Sequence, residues 1–253
     1  MEFNRLPLRT VDLPITVVAV TAPGTERLKE QASELLWDAA REIKPRLRGW
    51  LHLATFPVSV AAGIVLVALS PTPATRVATA IFAVTSSLLF GISALFHRGQ
   101  PWSPRWHGVL RRLDHSNIFL LIAGTYTPFA ITLLDSQSAK ALLSVVWGGA
   151  LVGISFRVLW IGAPRWLYLP VYIALGWVSV FWLHDFAAAS GPAVVALIVV
   201  GGLLYSIGGV IYGLQRPDPL PNWFGYHEVF HSLTIAAFAV HYVGVSMIVY
   251  AAR

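Results

Sequence analysis

Two histidines open the last apolar segment of the chain. His227 and His231 are four residues apart, so on a helix they lie one above the other on a single face. That spacing can present two imidazoles to one metal ion. Imidazoles are costly in lipid unless they pair with a partner or bind a ligand. The pair therefore suggests a metal site, although this spacing alone is a weak signal.

Three further polar residues lie at the ends of two other apolar segments. Ser93 and His97 end the second segment, and Asp114 opens the third. If every apolar segment crosses a membrane, the end of the second and the starts of the third and seventh lie at the same membrane edge. All five side chains then meet at that edge, which strengthens the prediction of a metal site.

Three neutral imidazoles with one open position form a zinc arrangement that suits catalysis. We predict His97, His227 and His231 as the ligands, and Zn²⁺ as the metal, although imidazoles also suit iron, nickel or copper. Zinc lowers the pKa of its bound water toward about 7, which supplies a nucleophile for an amide or ester carbonyl. Asp114 would act as general base or as orienter, and Ser93, one helical turn from His97, would help to position water or substrate.

Each residue also has a structural interpretation. His97 could simply mark a helix end at the membrane interface. Asp114 could be a helix N-cap that pairs with Arg111 or Arg112. Ser93 could be a hydroxyl that packs between helices. The His227 and His231 pair is harder to explain structurally.

Other histidines fit the predicted site less well. His241 is ten residues beyond His231, about 15 Å deeper, so we expect an interhelical hydrogen bond, with a proton relay as the alternative. His115 lies about 100° around the helix from Asp114, and its role stays open. His52 is expected to be an interfacial residue.

The composition indicates an integral membrane protein. Of the 253 residues, 56% are hydrophobic and 12% are charged, against roughly 25% charged residues in a soluble domain. The net charge is +6, but the basic residues are interrupted by long apolar runs, which excludes a nucleic-acid-binding role. The chain has no cysteine, so a transition-metal site must use histidine and carboxylate ligands.

Seven apolar segments are each long enough to cross a hydrocarbon core of about 30 Å. The sequence therefore predicts an all-α integral membrane protein, a seven-transmembrane helix bundle. Apolar residues at three- and four-residue steps also predict a short amphipathic helix over residues 25–44, so we divide the chain into an N-terminal segment, 1–45, and a membrane domain, 46–253. The N-terminal stretch has no compact apolar run, so no cleavable signal peptide is expected. The predicted spans are 49–70, 75–97, 114–134, 139–161, 165–185, 192–214 and 228–250.

Lysine and arginine set the orientation of the bundle. Eight of them precede the first span, and the connections on that side carry most of the others. The positive-inside rule then places the N-terminus in the cytoplasm and the C-terminus outside. We expect a multi-pass protein of the inner (plasma) membrane, with the metal site near the cytoplasmic side.

These motifs resemble those of the hemolysin III proteins. The resemblance rests on Ser93-x-x-x-His97, on residues 113–118 (LDHSNI) continuing to 123–129 (AGTYTPF), and on residues 227–231 (HEVFH). It covers about residues 45–250. Hemolysin III proteins belong to the progestin and adipoQ receptor family, which is grouped with the alkaline ceramidases as metal-dependent membrane hydrolases.

The resemblance implies a seven-helix bundle with zinc on its cytoplasmic side, and it carries the ligand roles to His97, His227 and His231. Asp114 would reach the zinc through water. The function expected is hydrolysis of an amide or ester bond in a lipid-like substrate, with membrane lipids as the surroundings. Two alternatives remain: a receptor-like or membrane-homeostasis protein with structural zinc, and a proton-linked transporter that uses Asp114, His115 and His241. The sequence leaves the oligomeric state open.

Overall fold

The computed structural model describes residues 45–99, 102–160, 162–220 and 222–252. These residues form a helical bundle, and seven of its helical segments are long and apolar enough to cross a membrane. The predicted seven-helix membrane fold is therefore confirmed. The helices are α1 (Trp50–Ala68), α2 (Pro73–Arg98), α3 (Pro104–Leu133), α4 (Ser136–Leu159), α5 (Arg165–Gly176), a 3₁₀ turn (Val178–Trp182), α6 (Leu183–Ser190), α7 (Pro192–Leu214) and α8 (Tyr226–Ala251).

The predicted amphipathic helix over residues 25–44 lies outside the described residues. The boundary between the N-terminal segment and the membrane domain also stays a prediction.

The third span differs most from its predicted bounds. It begins at Pro104 rather than at residue 114, so most of the stretch between the second and third predicted spans, residues 98–113, is helical. Ser103 is the N-cap, and its hydroxyl accepts from the backbone N–H of Trp106 at 3.5 Å. Proline favours the first helical position because it has no N–H to satisfy. Local capping residues therefore start this helix well before its apolar part.

Small residues bring neighbouring helices close together. Gly63 on α1 faces Ala83 on α2, and a Cβ added at Gly63 would lie 2.6 Å from the Cβ of Ala83. Gly124 on α3 packs directly against Thr85 on α2. Close approach at small residues is a usual way for helices to associate in a bilayer, where lipid removes much of the hydrophobic driving force.

The α8 helix closes the bundle, because it packs on α1, α3 and α7. Of the seven spans, α3 is the most buried. One end of the bundle is formed by the starts of α1, α3, α5 and α8 and the ends of α2, α4 and α7. We call it the histidine end, because His97 and His227 lie there.

The fifth span is interrupted between α5 and α6 by the 3₁₀ turn. Tyr126 on α3 bonds to the backbone at this interruption: its hydroxyl donates to the Gly176 carbonyl at 2.6 Å and accepts from the Ser179 N–H at 2.9 Å. Irregular backbone within a span is tolerated where such partners satisfy its polar groups.

Candidate metal centre

Three histidines from two helices meet at the histidine end of the bundle. His97 is the penultimate residue of α2, while His227 and His231 lie in the first two turns of α8. The ring centroids are 4.9 Å apart for His97 and His227, 5.6 Å for His97 and His231, and 4.4 Å for His227 and His231. One nitrogen from each residue lies within 4.8 Å of the other two. The three residues could therefore bind one metal ion.

The donor atoms at this site fit a metal ion. His97 and His231 are buried, and His227 is half-buried. Nε2 of His227 and Nδ1 of His231 are buried and make no hydrogen bond with any residue that the structure describes. Buried polar atoms normally have a partner. A three-imidazole donor set matches zinc, and also iron, nickel and copper.

Asp114 lies beside the three histidines. Its Oδ2 atom is 3.9 Å from Nε2 of His97. Because α3 begins at Pro104, Asp114 is ten residues inside the helix, so its interpretation as an N-cap is wrong. In the described part of the chain no ion pair joins it to Arg111 or Arg112, and its carboxylate lies within 4 Å of His97 instead. Asp114 therefore faces the histidines.

Ser93 lies one turn before His97 on α2 and is 2% exposed. It lines the same cavity as Asp114, His227 and His231. All five predicted site residues are thus at one end of the bundle, while their roles stay predictions.

A partly buried ion pair between Arg48 and Glu228 holds the start of α8. Glu228 is fully buried, its Oε1 accepts a hydrogen bond from Nε of Arg48, and its Oε2 accepts from the Gly225 N–H at 2.9 Å. Its carboxylate thus fixes the N-terminal end of α8, the helix that carries His227 and His231, and does not join the histidine cluster.

The turn before α1 also contacts the other ligand-bearing helix. Gly49 has φ +82°, a left-handed conformation that glycine adopts without strain. A Cβ at this position would lie 2.6 Å from the Cβ of His97. Since Arg48 is the preceding residue, one short turn contacts both α2 and α8.

His52 belongs to the same cluster, although the sequence predicted only an interfacial residue. Its ring stacks on that of His231, with centroids 3.7 Å apart and an angle of 11° between the planes. It is 3% exposed, so it lies inside the bundle, where it adds a fourth imidazole that the sequence did not predict. The order of the spans could have predicted this position, because a histidine near the start of the first span lies at the same membrane edge as His97 and His227.

A long apolar cavity leads away from the histidines. It is lined by His227 and His231 at one end and by His241 at the other. Fourteen residues of α8 separate His227 from His241, which corresponds to about 20 Å. Most of the remaining lining is apolar, and it comes from α2, α3, α5, α7 and α8. The cavity therefore extends along more than half of the length of α8.

His115 and His241 both line this cavity. Nε2 of His241 lies 3.3 Å from the Ile198 carbonyl on α7, so the expected interhelical hydrogen bond is confirmed. Nδ1 of His115 lies 2.6 Å from the Arg111 carbonyl within α3, and a nitrogen next to a carbonyl must be the donor.

Comparison with known proteins identifies the family. The sequence pattern described as Haemolysin-III related matches residues 40–242. The chain belongs to this family. The matched range agrees with residues 45–250, the approximate range over which the motifs resemble this family.

The Haemolysin-III related chain is similar to both bacterial and animal proteins. It is 33% identical over 159 residues to the Hemolysin-3 homolog of Bacillus subtilis (strain 168), covering 63% of this chain and 71% of that protein. It is 33% identical over 139 residues to Hemolysin-3 of Bacillus cereus, covering 54% and 61%. It is 29% identical over 188 residues to the Adiponectin receptor protein of Drosophila melanogaster, covering 65% and 41%. The chain thus spans less than two thirds of the last two relatives.

Proposed function

We propose that this protein is a metal-dependent membrane hydrolase that cleaves an amide or ester bond in a lipid-like substrate. The observation that carries the proposal is the position of three clustered histidines and Asp114 at one end of a long apolar cavity. The cavity would hold an acyl chain, since its length of about 20 Å exceeds half of a hydrocarbon core of about 30 Å. The bond to be cleaved would then lie beside the histidines.

His97, His227 and His231 would hold the metal, which we propose to be Zn²⁺. A zinc ion in such a site acts as a Lewis acid and makes water a nucleophile at neutral pH. The other roles belong to side chains of this chain. Asp114 would accept a proton at its carboxylate and return it to the leaving group. Ser93 would orient the carbonyl of the substrate, and the apolar lining would exclude bulk water.

Metal content tests the ligand set. We expect about one zinc per chain by mass spectrometry of the detergent-purified protein, and loss of that zinc in His227→Ala and His231→Ala. His184→Ala is the matched control, because this exposed histidine lies in α6 near the opposite end of the bundle. A metal-free wild-type protein would remove the proposed mechanism.

Catalysis needs a separate test. Asp114→Asn keeps the shape of the side chain but removes its basicity, so it should retain metal and lose about 10²–10⁴-fold in the turnover of a lipid amide or ester. Ceramides and acyl esters are suitable substrates for the first screen. Equal turnover in Asp114→Asn and wild type would exclude the proposed role of Asp114.

A second candidate is a receptor-like protein in which the metal is structural. It is favoured by similarity to proteins named as receptors in Drosophila melanogaster and Caenorhabditis elegans. In that case, removal of the metal should unfold the bundle. A catalytic metal can be removed and restored with the bundle intact, so thermal unfolding with and without chelator separates the two candidates.

A further inference from the structure

Two polar side chains face the apolar cavity far from the histidine cluster. His241 on α8 and Tyr205 on α7 both line it, and their rings stack with centroids 5.7 Å apart. Ten residues of α8 separate His241 from His231, or about 15 Å. Neither residue belongs to the proposed catalytic site.

The hydrogen bond of His241 fixes which ring nitrogen is an acceptor. Nε2 faces the Ile198 carbonyl at 3.3 Å and must donate to it, because a carbonyl oxygen can only accept. In a neutral imidazole the other nitrogen, Nδ1, is then an acceptor. Nδ1 is buried, His241 is 8% exposed, and Nδ1 has no hydrogen-bond partner among the residues that the structure describes.

Tyr205 provides the complementary atom. Its hydroxyl is buried and makes no hydrogen bond within the described part of the chain. A tyrosine hydroxyl can donate one hydrogen bond and accept others. The surroundings are apolar, with the Phe129 ring next to His241. Leaving two polar atoms unsatisfied in such surroundings is unfavourable, which points to a ligand that supplies the missing partner.

We propose that His241 and Tyr205 form a subsite for a hydroxyl group on the acyl chain of the bound lipid. The hydroxyl would donate to Nδ1 of His241 and accept from the hydroxyl of Tyr205. A keto oxygen cannot donate to Nδ1, and a hydrocarbon chain without a polar substituent satisfies neither atom. The ligand class is therefore a lipid whose chain is hydroxylated about 15 Å from the group next to the histidines. This inference rests on the cavity being a lipid site, as in the proposed function.

Two fatty acids that differ by one mid-chain hydroxyl test the subsite. Ricinoleic acid carries this hydroxyl and oleic acid does not, and neither has an amide or ester bond to hydrolyse. The measurement is displacement of tritiated oleic acid from the detergent-purified full chain. We expect ricinoleic acid to bind about tenfold more tightly, which corresponds to one or two net hydrogen bonds. Equal affinities would overturn the subsite and indicate that the two polar atoms bind water only.

Conservative variants identify the residue that causes the preference for ricinoleic acid. Tyr205→Phe removes only the hydroxyl, so the preference for ricinoleic acid should fall to about threefold or less, with oleic acid binding unchanged. Tyr242→Phe is the matched control: its hydroxyl donates to the Ala62 carbonyl at 3.0 Å and it does not line the cavity. An unchanged preference in Tyr205→Phe would exclude Tyr205 from the subsite.

The same assay on His227→Ala separates this proposal from the proposed function. The preference should survive loss of the metal, because the two sites are about 15 Å apart. A metal-free wild type that keeps the preference overturns the hydrolase and supports the subsite. A metal-loaded, active wild type without preference overturns the subsite alone. If neither fatty acid binds, the subsite and the lipid cavity are both wrong, while the metal result stands by itself.

Discussion

His52 lies face to face with a predicted metal ligand. Its ring covers one side of His231, and both of its ring nitrogens are buried without a hydrogen-bond partner among the described residues. The contact that positions His231 is therefore the flat face of the His52 ring. An aromatic ring without nitrogens should serve the same purpose, since it can fill the same space and present the same flat face to His231.

We predict that His52→Phe retains about as much metal as wild type and unfolds at the same temperature or higher, because two unsatisfied buried nitrogens are removed. His52→Ala should lower the stability by about 2–5 kcal/mol and weaken metal retention, because the missing ring leaves a cavity beside His231. Metal content and thermal unfolding in detergent are the measurements. Loss of metal in a folded His52→Phe would assign the nitrogens, rather than the ring face, to the site.

The predictable site residues are those that a spacing rule or a shared membrane edge brings together. His227 and His231 follow helix geometry, and His97 and Asp114 follow from the order of the spans. His52 shares that membrane edge, but its stacking on His231 could not be predicted, because it depends on how α1 docks on α8. The pairing of Arg48 with Glu228 was hidden for the same reason: 180 residues separate the two in sequence.

Among the many contacts between α2 and α3, one is especially close. Gly124 on α3 lies against Thr85 on α2, and an added Cβ would overlap the Thr85 hydroxyl. These two helices carry His97 and Asp114, whose side chains are 3.9 Å apart. A change that separates the helices should therefore alter the site as well as the stability.

Gly124→Ala should lower the stability by about 1–3 kcal/mol, the usual range for overpacking in a tight core. The control is Gly148→Ala on α4, where an added Cβ meets no atom within 4 Å. Alanine there should be neutral or slightly stabilising, since it favours the helix more than glycine does. The thermal unfolding midpoint in detergent checks both variants. Equal midpoints would show that α2 and α3 can separate without loss of stability.

The sequence predicts which helices exist better than it predicts where each helix begins and ends. Seven apolar runs identify seven spans because lipid permits few other structures. The early start of α3 lies in a polar stretch, where Ser103 and Pro104 rather than hydrophobicity decide the boundary. The interruption between α5 and α6 depends on Tyr126, a partner from another helix, and no local pattern reveals it.

The molecule as a whole has an uneven distribution of basic residues. Most lysines and arginines lie in the N-terminal segment or at the histidine end of the bundle, and Arg76 and Lys140 are exceptions at the opposite end. By the positive-inside rule, the histidine end should face the cytoplasm.

Single cysteines can test this orientation, because the natural chain has none. Gln137→Cys and Asn222→Cys replace exposed residues at opposite ends of the bundle. A membrane-impermeant maleimide should label Gln137→Cys in intact cells, and Asn222→Cys only after permeabilisation. The reverse pattern would place the histidine end outside the cytoplasm.

The order of the helices has a consequence for biogenesis. His97 and Asp114 lie on α2 and α3, whereas His227 and His231 lie on α8, which leaves the ribosome after the other described helices. Until α8 has inserted, a nascent chain offers one of the three proposed ligands and cannot chelate an ion. Metal capture in the proposed site would therefore be a late step of maturation, and the same helix that closes the bundle would complete the ligand set. A chain cut short before α8 would be unable to acquire the ion at all.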